Sequence, residues 1–148
     1  MLKRNFWNVE VEINESATAE WYLTSEPWGC DCDDCKNFLE LCKCNELPEA
    51  IHAILKELNI APDKATYVCE IMPKDNGHLY QFSYRLVGRI LNEDTAKSTV
   101  EDWGEVRCCH EPYPYGAPGF PTPHFELEFW VTLPGVVEEK DQIGGSHD

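Results

Sequence analysis

The segment FELEFWVTL at residues 125–133 is the most regular pattern in the chain. Phe125, Leu127 and Phe129 alternate with two glutamates, and the alternation continues to the end of the segment. A period of two residues places apolar side chains on one face of a strand and polar side chains on the other. The segment therefore predicts a strand that is buried on one face and wet on the other.

Similar alternation predicts five further strands, at residues 5–13, 19–23, 66–72, 78–91 and 105–110. Two helices are predicted between the second and third of the six strands. The first starts near Asp33 or Asp34, because aspartate is a good N-cap, and it runs to about Cys44. The second begins at Pro48 and has a buried stripe at helical spacing, formed by Ile51, Ile54, Leu55 and Leu58.

The element order β-β-α-α-β-β-β-β predicts an α+β fold, because strands follow strands and helices follow helices. Short connections favour a mostly antiparallel sheet of about six strands, with the two helices packed on one face. The other face is expected to be wet, since it carries Glu10, Glu12, Arg85, Arg89, Glu126 and Glu128. We expect one domain over residues 1–134 and a flexible polar tail over residues 135–148.

The chain of 148 residues has a net charge of −15. Such an acidic balance argues against binding to nucleic acid or to anionic membranes, and it permits a basic protein as partner. No apolar run reaches the about 20 residues of a membrane span, and no signal peptide is recognisable. We therefore expect a cytoplasmic protein, in which cysteines are thiols or metal ligands more often than structural disulfides.

Five of the eight cysteines lie within residues 30–44. Cys32 and Cys35 form a C-x-x-C motif, and Cys30 precedes it, so the three predict a zinc site that lacks one ligand. Cys42 is a poor fourth ligand, because an unbroken helix would place it roughly 10 Å from Cys35. Cys44 is the preferred candidate, and the alternatives are His52, Cys69, Cys108, Cys109 and His110.

Two other readings of the cysteines stay open. Trp28, the C-x-x-C motif and Lys36 together resemble the thioredoxin active-site motif, and this resemblance implies thiol redox chemistry. Asp33 and Asp34, the two middle residues, would oppose thiolate formation by their charge. In the third reading, Cys35 and Cys42 belong to an apolar helix stripe with Phe38 and Leu39, since buried cysteine behaves as a small hydrophobe.

The proline-rich segment at residues 110–124 is longer than an ordinary hairpin loop, and long ordered loops are often functional. Its aromatic residues, together with Trp130 on the polar side of its strand, predict a partner-binding surface of Tyr113, Tyr115, Phe120 and Trp130. No phosphate-binding loop or hydrolase motif is present in the sequence. We therefore expect a non-enzymatic interaction module, specifically an inhibitor of a basic or nucleic-acid-handling protein. The alternatives are a zinc-stabilised domain and a thiol redox enzyme.

Overall fold

The computed structural model describes residues 1–92, 98–110 and 117–135, and these residues form three α-helices and a seven-stranded antiparallel sheet. The elements are β1 (Leu2–Phe6), β2 (Val9–Ile13), α1 (Glu15–Thr24), α2 (Asp33–Lys43), α3 (Glu49–Glu57), a 3₁₀ turn (Pro62–Lys64), β3 (Tyr67–Lys74), β4 (Gly77–Ile90), β5 (Thr99–Glu101), β6 (Gly104–Cys109) and β7 (His124–Pro134). The predicted α+β class and mostly antiparallel sheet are confirmed. No described helix has the length and apolar character needed to cross a bilayer. The predicted tail lies, apart from Gly135, outside the described residues.

Strand β4 is the centre of the sheet, whose order is β1-β2-β4-β7-β6-β5. One edge of β4 pairs with β7 along eleven residues, from Gly77 to Val87. Its other edge is divided, because β3 pairs with the first part of β4 and β2 pairs with residues 88–90. Backbone groups of β4 between these two partners therefore need hydrogen bonds from other sources.

Side-chain hydroxyl groups supply three of these hydrogen bonds, and the Asn14 backbone amide donates another to the Val87 carbonyl at 2.9 Å. The Thr66 hydroxyl accepts from the Arg85 amide at 3.1 Å, and the Tyr22 hydroxyl donates to the Arg85 carbonyl at 2.8 Å. The Thr18 hydroxyl accepts from the Val87 amide at 3.0 Å. Tyr22 and Thr18 lie four residues apart on α1, so one face of this helix completes the hydrogen bonding along the open edge of β4.

Replacing Thr18 with valine tests this role, because the change keeps the shape of the side chain and removes its acceptor. The buried Val87 amide would lose its partner, so we expect Thr18→Val to lower the free energy of unfolding by about 1–3 kcal/mol. Thr24→Val on the same helix is the control, since Thr24 is exposed and should change stability by less than about 0.5 kcal/mol. Urea unfolding of both variants gives the comparison, and equal losses would contradict the role given to Thr18.

The predicted strand at residues 5–13 is instead a hairpin of β1 and β2. Trp7 and Asn8 form its two-residue turn, with φ angles of 50° and 71°, and Phe6 pairs with Val9. Positive φ at both central residues is typical of a type I′ turn. Tryptophan is an unusual residue there, and its ring packs edge-on against Trp103 and Phe129, at centroid distances of 5.9 and 6.0 Å.

The predicted strand at residues 19–23 is wrong, because this segment belongs to α1. Asn14 caps the helix by accepting a hydrogen bond from the Ala17 amide at 3.0 Å. The buried side chains are Thr18 and Tyr22, at helical spacing, whereas Leu23 is 79% exposed. The short alternation of Trp21 and Leu23 was therefore misleading, and the capping residue was the better signal.

Both predicted helices are confirmed as α2 and α3. Phe38 of α2 lies on the sheet, with its ring centroid 4.9 Å from that of Phe82. In α3, Ile51 and Leu55 are fully buried, and Asn59 ends the segment with a left-handed φ of 60°. The sheet has seven strands because the first predicted strand is two, the second is helical, and the three-residue β5 was not predicted.

The sequence predicts that the second face of the sheet is wet, but the structure shows that only part of this face is exposed. Glu10 and Arg89 are exposed, but Arg85 is 7% exposed, Glu126 1% and Glu128 0%. The Arg85 guanidinium donates to Glu126 at 2.5 Å. Four donors converge on the Glu128 carboxylate, from Gln81, Arg107, Cys109 and Trp130. Alternation placed these residues on one face correctly, but it could not show that this face is covered.

Burial raises the pKa of Glu126, and the neighbouring Arg85 opposes this shift. A carboxyl whose pKa is higher in the folded state than in the unfolded state favours folding when it is protonated. The contribution of Glu126 to stability is therefore present below its ordinary pKa of 4.5, and it is lost as pH rises through the pKa in the folded state. We expect Glu126→Gln to remove this pH dependence, because the amide still accepts from Arg85. The free energy of unfolding of the wild type should then fall relative to that of the variant as pH rises from 5 to 8. Parallel pH profiles would contradict this, and Glu10→Gln on the exposed surface is the control.

Candidate metal centre

Three cysteine sulfurs converge at the N-terminus of α2. The ligand atoms of Cys30, Cys32 and Cys35, which we call the thiol trio, all lie within 4.8 Å of one another. Cys32 is the N-cap of the helix, and its sulfur accepts from the Cys35 amide at 3.4 Å. Cys30 and Cys32 are exposed and Cys35 is buried, so an ion from solution can reach a site whose innermost ligand is fixed.

The first turn of α2 is held on the sheet by a small hydrogen-bond network. The Tyr80 hydroxyl of β4 donates to the Asp34 carbonyl at 2.8 Å. The Asn37 amide group donates to the Tyr80 oxygen at 3.2 Å and to the Pro134 carbonyl at 2.9 Å. These contacts join α2 to β4 and β7, and they fix the backbone immediately next to Cys35.

Trp28 holds the segment that leads into the trio. Its backbone amide donates to the Asp63 carbonyl at 2.9 Å, and its ring lies edge-on to Tyr67 at a centroid distance of 6.3 Å. The indole Nε1 donates to the Cys35 sulfur at 3.1 Å. Hydrogen bonds of this kind orient a ligand and adjust its affinity for a metal. The sequence had suggested Trp28 only as part of a redox motif.

The environments of the outer and inner thiols differ. Hydrogen bonds from the Cys32 backbone amide, then from the Cys35 and Cys32 side chains, lower the pKa of Cys30. Burial raises the pKa of Cys35, and the Trp28 hydrogen bond partly offsets it. Cys30 therefore forms a thiolate more readily than Cys35, and bound metal would be needed to ionise the inner thiol near neutral pH.

The predicted fourth ligand, Cys44, is not brought to the trio. It caps the opposite end of α2, and this helix of 11 residues is about 16 Å long. The Cys44 sulfur instead lies 3.5 Å from a Glu40 carboxylate oxygen. Of the other candidates, His52 accepts from the Leu47 amide and Cys109 donates to Glu128, so neither is placed beside the trio.

Two of the four predicted partner-binding residues, Phe120 and Trp130, lie among the residues described. Tyr113 and Tyr115 lie outside the described residues. Phe120 is 8% exposed and packs edge-on against Trp21, at a centroid distance of 4.8 Å. Trp130 is half-buried, and its indole donates to Glu128 at 2.8 Å. Interaction with a partner through this segment stays a prediction.

An open groove of about 840 Å³ adjoins the trio. Cys30 is one of its lining residues, and the lining also includes Trp21, Trp28, Tyr67 and Pro118. The exposed thiol with the lowered pKa thus borders an aromatic depression, which is large enough for a small molecule.

Comparison with protein-family models, with curated proteins and with solved structures gave no match. The function is therefore inferred from the residues and their geometry alone.

Proposed function

We propose that this protein binds a thiophilic metal ion, with zinc as the reference ion, through the thiolates of Cys30, Cys32 and Cys35. The observation that carries the proposal is the convergence of the three sulfurs within 4.8 Å. Zinc accepts thiolate ligands with bonds of about 2.3 Å, and a site with three protein ligands keeps a fourth position for water or another ligand. Small movements of the two exposed cysteines would complete such a site.

Local charge favours a bound cation over free thiolates. Asp31, Asp33 and Asp34 lie within the same short segment as the trio, and the Asp31 charge acts to raise the pKa of Cys30. Carboxylates destabilise a neighbouring thiolate, whereas they attract a divalent cation. The same acids therefore argue against a strongly activated thiol and for a metal site.

The metal content of the purified protein tests this proposal. We expect about one equivalent of zinc in wild-type protein prepared without chelator, and a loss of zinc in Cys30→Ser and Cys32→Ser because each removes a thiolate ligand. Cys44→Ser is a matched control, since it removes an exposed cysteine from the same helix without touching the trio. Elemental analysis after gel filtration gives the stoichiometry.

Two results would contradict the metal proposal. One is wild-type protein that holds less than about a few tenths of an equivalent of zinc after incubation with excess ion, since a three-thiolate site should retain it. The other is a loss of zinc in Cys44→Ser equal to that in Cys30→Ser. Urea unfolding of each apo variant shows whether a loss of zinc reflects a lost ligand or a lost fold.

A second candidate is thiol–disulfide exchange, favoured by the opposite pKa shifts of Cys30 and Cys35. The exposed Cys30 thiolate would attack a substrate disulfide and release one thiolate. Cys32 or Cys35 would then displace the remaining substrate thiolate from the mixed disulfide, leaving one disulfide within the trio. Two protein thiols are oxidised in this sequence, and one substrate disulfide is reduced to two thiols.

Alkylation kinetics test the redox candidate. In metal-free protein, Cys30 should react with iodoacetamide at a lower pH than Cys44, whose pKa is raised chiefly by its hydrogen bond with Glu40. Peptide mass spectrometry follows the two sites in one sample. Equal pH profiles for Cys30 and Cys44 would remove the support for an activated thiol, while the metal proposal would stand.

A further inference from the structure

A second set of metal-ligating side chains meets at the first turn of α2. Asp34 of α2, Glu70 of β3 and His78 of β4 each place a ligand atom within 4.8 Å of the other two. The three residues come from three different elements, so only the folded chain assembles them. Their donors are two carboxylates and an imidazole, which makes this set chemically distinct from the thiol trio.

The sheet fixes two of these side chains. A bulge at Ile71 shifts the register between β3 and β4, so that Glu70 pairs with Tyr80 while His78 pairs with Pro73. The Glu70 carboxylate lies 2.8 Å from His78 Nδ1. The Glu70 side chain is 18% exposed and the His78 side chain is 15% exposed, so an ion can reach them while their motion is limited.

Tyr80 connects all three residues. Its hydroxyl binds the Asp34 carbonyl, its backbone pairs with Glu70, and its ring lies edge-on to His78 at a centroid distance of 6.5 Å. Tyr80 therefore holds the helix turn that carries Asp34 against the hairpin that carries Glu70 and His78.

A histidine–carboxylate pair alone explains the contact between Glu70 and His78. Asp34 adds a carboxylate oxygen within 4.8 Å of the ligand atoms of both residues. A divalent cation attracts both carboxylates and can take the imidazole as a third ligand. Carboxylates suit Mn²⁺ and imidazole suits Fe²⁺ and Zn²⁺, so the mixed set suits divalent ions of the first transition row.

We propose that Asp34, Glu70 and His78 bind one divalent first-row transition-metal ion, with water completing its coordination. This site shares no ligand with the thiol trio and does not rest on the function proposed above.

Binding of Mn²⁺ to the full-length protein tests this proposal, because this ion prefers oxygen ligands to thiolates. The electron paramagnetic resonance signal of free Mn²⁺ falls as the ion binds. We expect one saturable site in wild type and a loss of affinity of at least about tenfold in Asp34→Asn, Glu70→Gln and His78→Gln. Asp33→Asn is the matched control, since it removes a neighbouring exposed carboxylate and should leave binding unchanged.

The Cys30→Ser/Cys32→Ser/Cys35→Ser variant separates the two sites, because it should lose zinc from the thiol trio and keep the Mn²⁺ site. Urea unfolding identifies any variant that has lost its fold. The proposal is overturned if wild type shows no saturable Mn²⁺ binding, if folded His78→Gln binds as well as wild type, or if the folded cysteine variant loses Mn²⁺.

Discussion

The divided edge of β4 is the constraint on which the rest of the structure depends. Eleven of the fourteen residues of β4 pair with β7 on one side, while on the other side the pairing with β3 ends before the pairing with β2 begins. An unpaired backbone group in this interior costs about 1–3 kcal/mol, a large fraction of the net stability of a small domain. The hydroxyls of Thr18, Tyr22 and Thr66 remove that cost, so α1 must lie where it does.

The position of the thiol trio follows from the same arrangement. Between α1 and α2, residues 25–30 line a groove together with the start of β3. Trp28 stabilises this segment through Tyr67 and Asp63, and its indole reaches the Cys35 sulfur. Tyr80 then holds the first turn of α2 on β4. The three sulfurs therefore converge because two separate contacts, one before the helix and one within it, fix the segment between them.

Much of the fold could be predicted because its signals are local. The alternation in β7, the apolar stripe of α3 and the left-handed Asn59 each depend on short stretches of chain. The failures were cases in which tertiary contacts decided the outcome. Trp7 turns the chain because its ring packs on Trp103 and Phe129, and Glu126 and Glu128 are buried because arginine, tryptophan and glutamine side chains meet them.

The candidate sites show the same difference between local sequence signals and tertiary contacts. Cys30, Cys32 and Cys35 are close in sequence, so their spacing predicted a shared site. Rejecting Cys44 required the observed end of α2. Glu70 and His78 are joined by a hairpin with a bulge, and Asp34 reaches them from a helix, so no sequence spacing reveals that set. Trp28 is an intermediate case, because the sequence shows that it lies near the cysteines but does not show its hydrogen bond to the Cys35 sulfur.

The two ligand sets flank one helical turn and differ in chemistry, and the thiol trio is the part of the account most open to direct measurement. X-ray absorption at the zinc edge of the zinc-loaded wild-type protein counts the sulfur atoms bound to the ion. Our account predicts three sulfurs at about 2.3 Å and one lighter ligand. Four sulfurs would show that another cysteine joins the trio, and a shell of nitrogen and oxygen alone would show that the trio does not bind the ion; either result would contradict the account.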